Sequence, residues 1–159
     1  MKYFDAEKDN NLSILDMIKD PILIKIDETI DKITERALKL YMIETIEKTM
    51  RELGIGMAYM GSEIPIRINN KIMRPDLVFF NVKLNCYVIF ELKLKDLKIN
   101  DISQIEFYIH YYDSEIKEHF HNSTIGITIS KRIDDSVIKY VTKPNIKNTT
   151  YKIVNNNPK

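Results

Sequence analysis

Cysteine is nearly absent: Cys86 is the only one in 159 residues. That excludes a disulfide framework and a cysteine-rich four-ligand zinc site, and its place inside a strand-like pattern makes Cys86 a small core residue. A charge of one sign is also missing. Lys and Arg total 24 against 23 Asp and Glu, a net of +1, so a nucleic-acid surface has to come from local clustering and not from overall charge. No apolar run approaches the roughly 18 to 20 residues that span a bilayer. The opening MKYFDAEKDN has neither the apolar stretch nor the small-residue cleavage site of a secretory signal. A cytoplasmic location without a membrane partner is the expectation. No glycine-rich phosphate loop exists, and Ser130 lacks a nucleophile-elbow context, so serine catalysis is unsupported.

What is present has the balance of a globular protein: 44% hydrophobic and 30% charged, in a length that suits one domain with a real core. From Asn10 to Pro21 the pattern predicts a short amphipathic helix stopped by proline. In DETIDKITERALKLYMIETIEKTMRELG, Ile30, Ile33, Ala37, Leu40, Tyr41, Ile43, Ile46, Met50 and Leu53 keep helical spacing, and Gly54 is a natural stop. Past Gly56 the period becomes two. GMAYMG, EIPIRI, IMRPDLVFF and CYVIFELKL read as strands, with a turn at residues 69–71 and a short connection at Val82 to Asn85. The last two are apolar on both faces, as central strands are. DISQIEFYIHYYDSEIKEHF is a second helix, with Ile102, Ile105, Ile109, Tyr112 and Ile116 on one stripe; TIGITIS is a strand, DDSVIKYV a short helix and TYKIV a closing strand. The order predicts an α/β sandwich with a mixed central β-sheet flanked by helices. Residues 1–28 are expected as an N-terminal helical segment, 29–155 as the main domain and 156–159 as a disordered tail.

The central hairpin carries charge where charge is costly. Asp76 and Glu91 sum to 167, so a connection centred between Lys83 and Leu84 sets them opposite each other on one face. Lys93 projects to that face about 7 Å further along, and Arg74 would face it. Two carboxylates about 5 Å apart repel by ~3 kcal/mol at an effective dielectric of 20, so the pair needs a cation or a shared proton. A divalent metal is the economical answer, and few hard oxygen ligands suit Mg²⁺. The alternative is a cross-strand salt-bridge cluster of Arg74, Asp76, Glu91 and Lys93 without chemistry. Such clusters sit on solvated faces, whereas Val78, Phe80, Tyr87 and Ile89 make this face apolar.

Pro75-Asp76 followed by Glu91-Leu92-Lys93 resembles the PD-(D/E)XK signature of restriction-endonuclease-like nucleases. RELGIGMAYMGSEIPIRI, PDLVFFNVKLNCYVIFELKL, SQIEFYIHYYD and TIGITISK are more specifically similar to segments of the YhcG-like nuclease family, over about Lys19 to Val154. The resemblance implies a restriction-endonuclease-like sandwich and a Mg²⁺-dependent endonuclease in which Mn²⁺ can substitute, acting on nucleic acid, DNA foremost. A fold-retaining module that only binds nucleic acid or protein is the other reading. Asp76 and Glu91 would be metal ligands, with the Leu92 carbonyl a third. Lys93 would orient or help deprotonate the attacking water and hold the scissile phosphate. Gln104 and Tyr108 share a helix face and match the family's glutamine-and-tyrosine helix; alternatively, Gln104 serves a capping box begun by Asp101. Lys95, Lys98 and Lys131, with Tyr108, are the candidate nucleic-acid contacts, or in the case of the lysines ordinary surface residues.

Two departures stand out. Many relatives carry a Leu-Glu pair in the first long helix where this chain has Leu38-Lys39, and a lysine cannot coordinate Mg²⁺. Glu44 or Glu47 could substitute only if the helix turned one inward. The family's usual N-terminal domain is also missing from this sequence, so a homodimer or a separate partner is expected to supply it. His110, His119 and His121 do not form a metal set, since helical geometry would send His119 and His121 to different sides.

Overall fold

A computed structural model of the protein describes residues 12–26 and 32–155. Burial on both faces builds its centre. Strands β5 (Leu77–Asn81) and β6 (Cys86–Asp96) pair antiparallel, with Leu77 opposite Phe90 and Asn81 opposite Cys86. Leu77, Phe79, Val88, Phe90 and Leu92 join the core on one side, and Val78 and Ile89 join another cluster. The four-residue connection is fixed by Asn81, whose Oδ1 accepts from the N–H groups of Lys83 and Leu84 at 2.9 Å each, while its Nδ2 donates to the Ile55 carbonyl. Asn85 closes the turn in the left-handed region, φ 56°, which asparagine tolerates. The register is the one expected from the sequence.

Around this hairpin the sheet runs β1-β8-β7-β6-β5-β2, with β1 (Ile22–Ile26), β2 (Met57–Ser62), β7 (Ile125–Arg132) and β8 (Ile146–Asn155). The β1/β8, β8/β7 and β7/β6 pairs are parallel and the remaining two antiparallel, so the sheet is mixed. A separate hairpin of β3 (Ile66–Ile68) and β4 (Lys71–Met73) turns at Asn69 and Asn70.

Helix α1 (Glu35–Leu53) is capped by Thr34, whose hydroxyl accepts from the Ala37 N–H at 3.0 Å, and ends at Gly54, φ 68°. It buries Met42, Ile43, Ile46 and Met50 in the larger core. Helix α2 (Ile99–Tyr111) places Ile105 and Ile109 over Gly126 of β7, where a Cβ would stand 2.7 Å from Ile105 Cδ1. The glycine is there to let helix and strand approach. A π-helical turn (Tyr112–Ile116) follows α2, and a short helix α3 (Ile138–Val141) lies between β7 and β8. No helix among the described residues is long and apolar enough to cross a membrane.

Several expected boundaries move. Among the described residues, the segment expected as an N-terminal helical piece through residue 28 contains a 3-10 helix, Leu12–Met17, and then β1, an edge strand of the main sheet paired from Ile22 opposite Tyr151. Ile22, Ile24 and Ile26 are buried in alternation, and their burial against the core outweighs the helical pattern of the flanks. Helix α1 begins at Glu35 because Thr34 caps it there, so Ile33 precedes it; Ile30 and the tail at 156–159 lie outside the described residues. Pro75 separates β4 from β5, which the pattern IMRPDLVFF joins. The second helix ends at Tyr111 and not Phe120, so His119 and His121 are not helical. The His121 Nδ1 accepts from the Glu118 N–H at 3.1 Å, and its ring meets Phe80 and Tyr87.

Candidate active site

Asp76 lies one residue before β5, so the register brings it opposite Glu91, and both are buried, 2% and 4% exposed. They brace each other's strand. The Asp76 N–H donates to Glu91 Oε1 at 3.0 Å, and the Leu92 N–H donates to Asp76 Oδ2 at 2.7 Å. Each carboxylate thus has one oxygen tied to the neighbouring backbone and one turned toward an ammonium: Lys39 Nζ is 2.8 Å from Asp76 Oδ1, and Lys93 Nζ is 4.0 Å from Glu91 Oε2. Burial first, and the Asp76 charge second, raise the Glu91 carboxyl well above the usual carboxylate range, against the opposing pull of the Asp76 N–H, Lys93 and Lys39. This is not a solvated salt-bridge cluster. Arg74 is exposed and lies in the connection between β4 and β5, outside the paired strands.

Lys93 is held from α2 instead. Its Nζ lies 3.4 Å from Gln104 Oε1 and 3.4 Å from Asp101 Oδ1. Gln104 Nε2 in turn donates to the Tyr108 hydroxyl at 3.0 Å. The capping alternative for Gln104 falls away, because the N-cap is Lys98, three residues before Asp101, and Asp101 Oδ2 accepts from the Lys98 N–H at 2.8 Å. Tyr108 cannot be the nucleic-acid contact the sequence suggested: it is 1% exposed, packed with Val78 and Ile89. Its place is behind Gln104, and burial pushes its hydroxyl up to about 12.

A cleft of about 440 Å³ opens beside the acids, lined by Arg36, Lys39, Lys93, Lys95 and Lys98 together with Leu92 and acidic residues including Asp101. Lys95 and Lys98 are exposed on it; Lys131 is exposed at the end of β7, next to Ser130, the register partner of Lys93. Glu44 is exposed and Glu47 pairs with Arg51 at 3.1 Å, so neither replaces the acid missing at Lys39. Among the described residues no cluster of three or more His, Cys, Asp or Glu forms. The donor set therefore amounts to two anchored carboxylates, each with one oxygen facing a cation. Such a set fits a small hard ion that keeps several waters. The Lys39 and Asp101 ion pairs have no counterpart among the expectations from sequence. Asp101 left one signal, an acid in the first turn of α2 within reach of Lys93's strand.

Two buried acids from adjacent strands and an ammonium beside the second bring the Pro75-Asp76 and Glu91-Leu92-Lys93 motif of PD-(D/E)XK proteins together on a restriction-endonuclease-like sandwich. Residues 15–159 match the YhcG PDDEXK nuclease domain, and the chain belongs to that family. It is 30% identical over 116 residues to "Putative nuclease YhcG" of Escherichia coli (strain K12), a match covering 70% of this chain and 30% of that protein. Its fold is similar to the crystal structure of a repair endonuclease from Pyrococcus abyssi, at TM-score 0.50 and 20% identity, covering 72% of this chain and 45% of that one. The chain thus spans less than half the length of either relative.

Proposed function

We propose that this chain is a metal-dependent nuclease domain that hydrolyses phosphodiester bonds of nucleic acid, with DNA as the first substrate to test. The observation that carries the reading is the Asp76–Glu91 pair: two carboxylates buried at 2% and 4% exposure, each anchored by one oxygen and each presenting the other. Asp76 Oδ1, Glu91 Oε2 and the Leu92 carbonyl would hold Mg²⁺ or Mn²⁺. When bound, such an ion polarises the phosphoryl oxygen and lowers the pKa of its water.

The protein's own groups do the rest. Lys93 holds the scissile phosphate and stabilises the charge that develops on it. Gln104 and Asp101 fix the Lys93 ammonium, and Tyr108 fixes Gln104, so the cation is preorganised. Lys95, Lys98 and Lys131 neutralise phosphates on either side of the cut.

A second reading has one observation in its favour. Lys39 already neutralises Asp76 at 2.8 Å, as it would in a catalytically inactive module that only binds nucleic acid or protein. Calorimetric titration with Mn²⁺ separates the two. A nuclease binds the ion, loses it on Asp76→Asn or Glu91→Gln, and nicks plasmid DNA in a Lys93-dependent manner. Indifference to Mn²⁺ in every variant assigns the chain to the inactive class.

A further inference from the structure

Among the described residues, Lys39 is the charged group at the centre that the hydrolytic reading does not call for. It comes from the second turn of α1, not from the sheet, and its ammonium sits on the Asp76 oxygen that the backbone does not hold. Its side chain is 29% exposed where that of Asp76 is 3% exposed, so the lysine has a path to water and the acid does not. It also lines the cleft, beside Arg36 and Lys93. Glu63, which would be another acid for Lys39 to face, is already held by both terminal nitrogens of Arg36, at 2.7 and 3.0 Å, so a displaced ammonium has the open cleft and not that acid as its destination.

We propose that Lys39 is a built-in counter-ion of Asp76 that competes with the divalent ion for Asp76 Oδ1, so that metal loading requires its ammonium to move into the cleft. The proposal rests on the Asp76–Glu91 pair being the metal site. A buried carboxylate without a cation is strongly disfavoured, and Lys39 supplies that cation while the site is empty of metal. The same contact opposes loading, since an ammonium and a dication repel each other at one oxygen. By linkage, whatever the ammonium adds to the metal-free state is subtracted from metal affinity. Once displaced, the ammonium stays on the wall of the cleft that would hold the substrate's phosphates, and there its charge favours substrate.

The test is Mn²⁺ binding without nucleic acid, by calorimetry, on the wild-type chain, Lys39→Gln, Lys39→Arg and Asp76→Asn. Lys39→Gln should bind Mn²⁺ about tenfold more tightly, within the usual range of a coupling between two ligands. Lys39→Arg should stay near wild type, and Asp76→Asn should abolish binding. If Lys39→Gln binds no tighter than wild type while Asp76→Asn still abolishes binding, the competition is wrong and the metal site stands. If no Asp76-dependent binding occurs in any chain, both are wrong. A measurement on the wild-type chain guards against a variant that fails to fold: saturating Mn²⁺ should raise the acylation rate of Lys39, read by peptide mass spectrometry. An unchanged rate overturns the proposal.

Discussion

At the scale of single residues, the centre divides into groups that hold the fold and groups that would carry the proposed reaction. Lys93 belongs to the second. It contacts Glu91, Asp101 and Gln104 but anchors no backbone, so Lys93→Met should lower the cleavage rate by about 10²–10³, the usual loss for one preorganised electrostatic group. Mn²⁺ binding should persist; cleavage assays and calorimetry on the same preparation check both. Cys86 makes the opposite case. It is buried, and burial pushes its thiol up to about 12. In the folded chain it stays protonated far above the pH where an exposed thiol ionises, so any stability it contributes is lost as pH rises through that range. It should be inert to alkylation at pH 8 and react only as fast as the chain unfolds, which mass spectrometry in a urea series measures. These residue identities are legible in sequence, apart from two. The depth of Tyr108 depends on how α2 packs against Val78 and Ile89, and the reach of Lys39 depends on the position of α1 over the sheet. No local pattern encodes either.

At the scale of elements, the site depends on a turn. Asn81 holds the connection through three side-chain hydrogen bonds and is fully buried. Replacing it with alanine leaves those partners unsatisfied, and Asn81→Ala should destabilise by about 1–3 kcal/mol, read as a lower urea midpoint. Because this turn sets which residue stands opposite Glu91, the same variant should weaken Mn²⁺ binding although it lies five residues from Asp76. Gly126→Val should cost about 1–3 kcal/mol by overpacking, since Ile105 and Ile109 already close on that position. The hairpin register is readable because an even-membered loop centred between Lys83 and Leu84 sets the two acids, Asp76 and Glu91, opposite each other. Strand β1 is not, although Ile22, Ile24 and Ile26 alternate. Five residues between helix-like flanks carry too little period to outweigh their neighbours, and only pairing with β8 makes them a strand. The π-turn after α2 is unreadable for a similar reason: the helical spacing runs on through Ile116, which the structure leaves 39% exposed.

At the scale of the molecule, the sequence's near-zero net charge conceals a local excess of basic residues, five against Glu35, Asp96 and Asp101 around one cleft. Arg36, Lys39, Lys93, Lys95 and Lys98 share one cleft, so a nucleic acid should bind there in spite of the balanced total. Lys95→Gln combined with Lys98→Gln should weaken duplex binding and flatten the log-affinity against log-salt slope by about 2, near 0.9 for each phosphate no longer neutralised. Fluorescence anisotropy across a salt series measures the slope, and an unchanged slope would remove both lysines from the interface.

The reciprocal bonds between Asp76 and Glu91 also act as a rivet at the mouth of the hairpin. A descendant of this fold that abandoned hydrolysis would still need both acids to keep its strands fastened, whereas nothing architectural would retain Lys93. Among sibling sequences, drift at the lysine would therefore be a surer sign of lost chemistry than survival of the acids is a sign of activity.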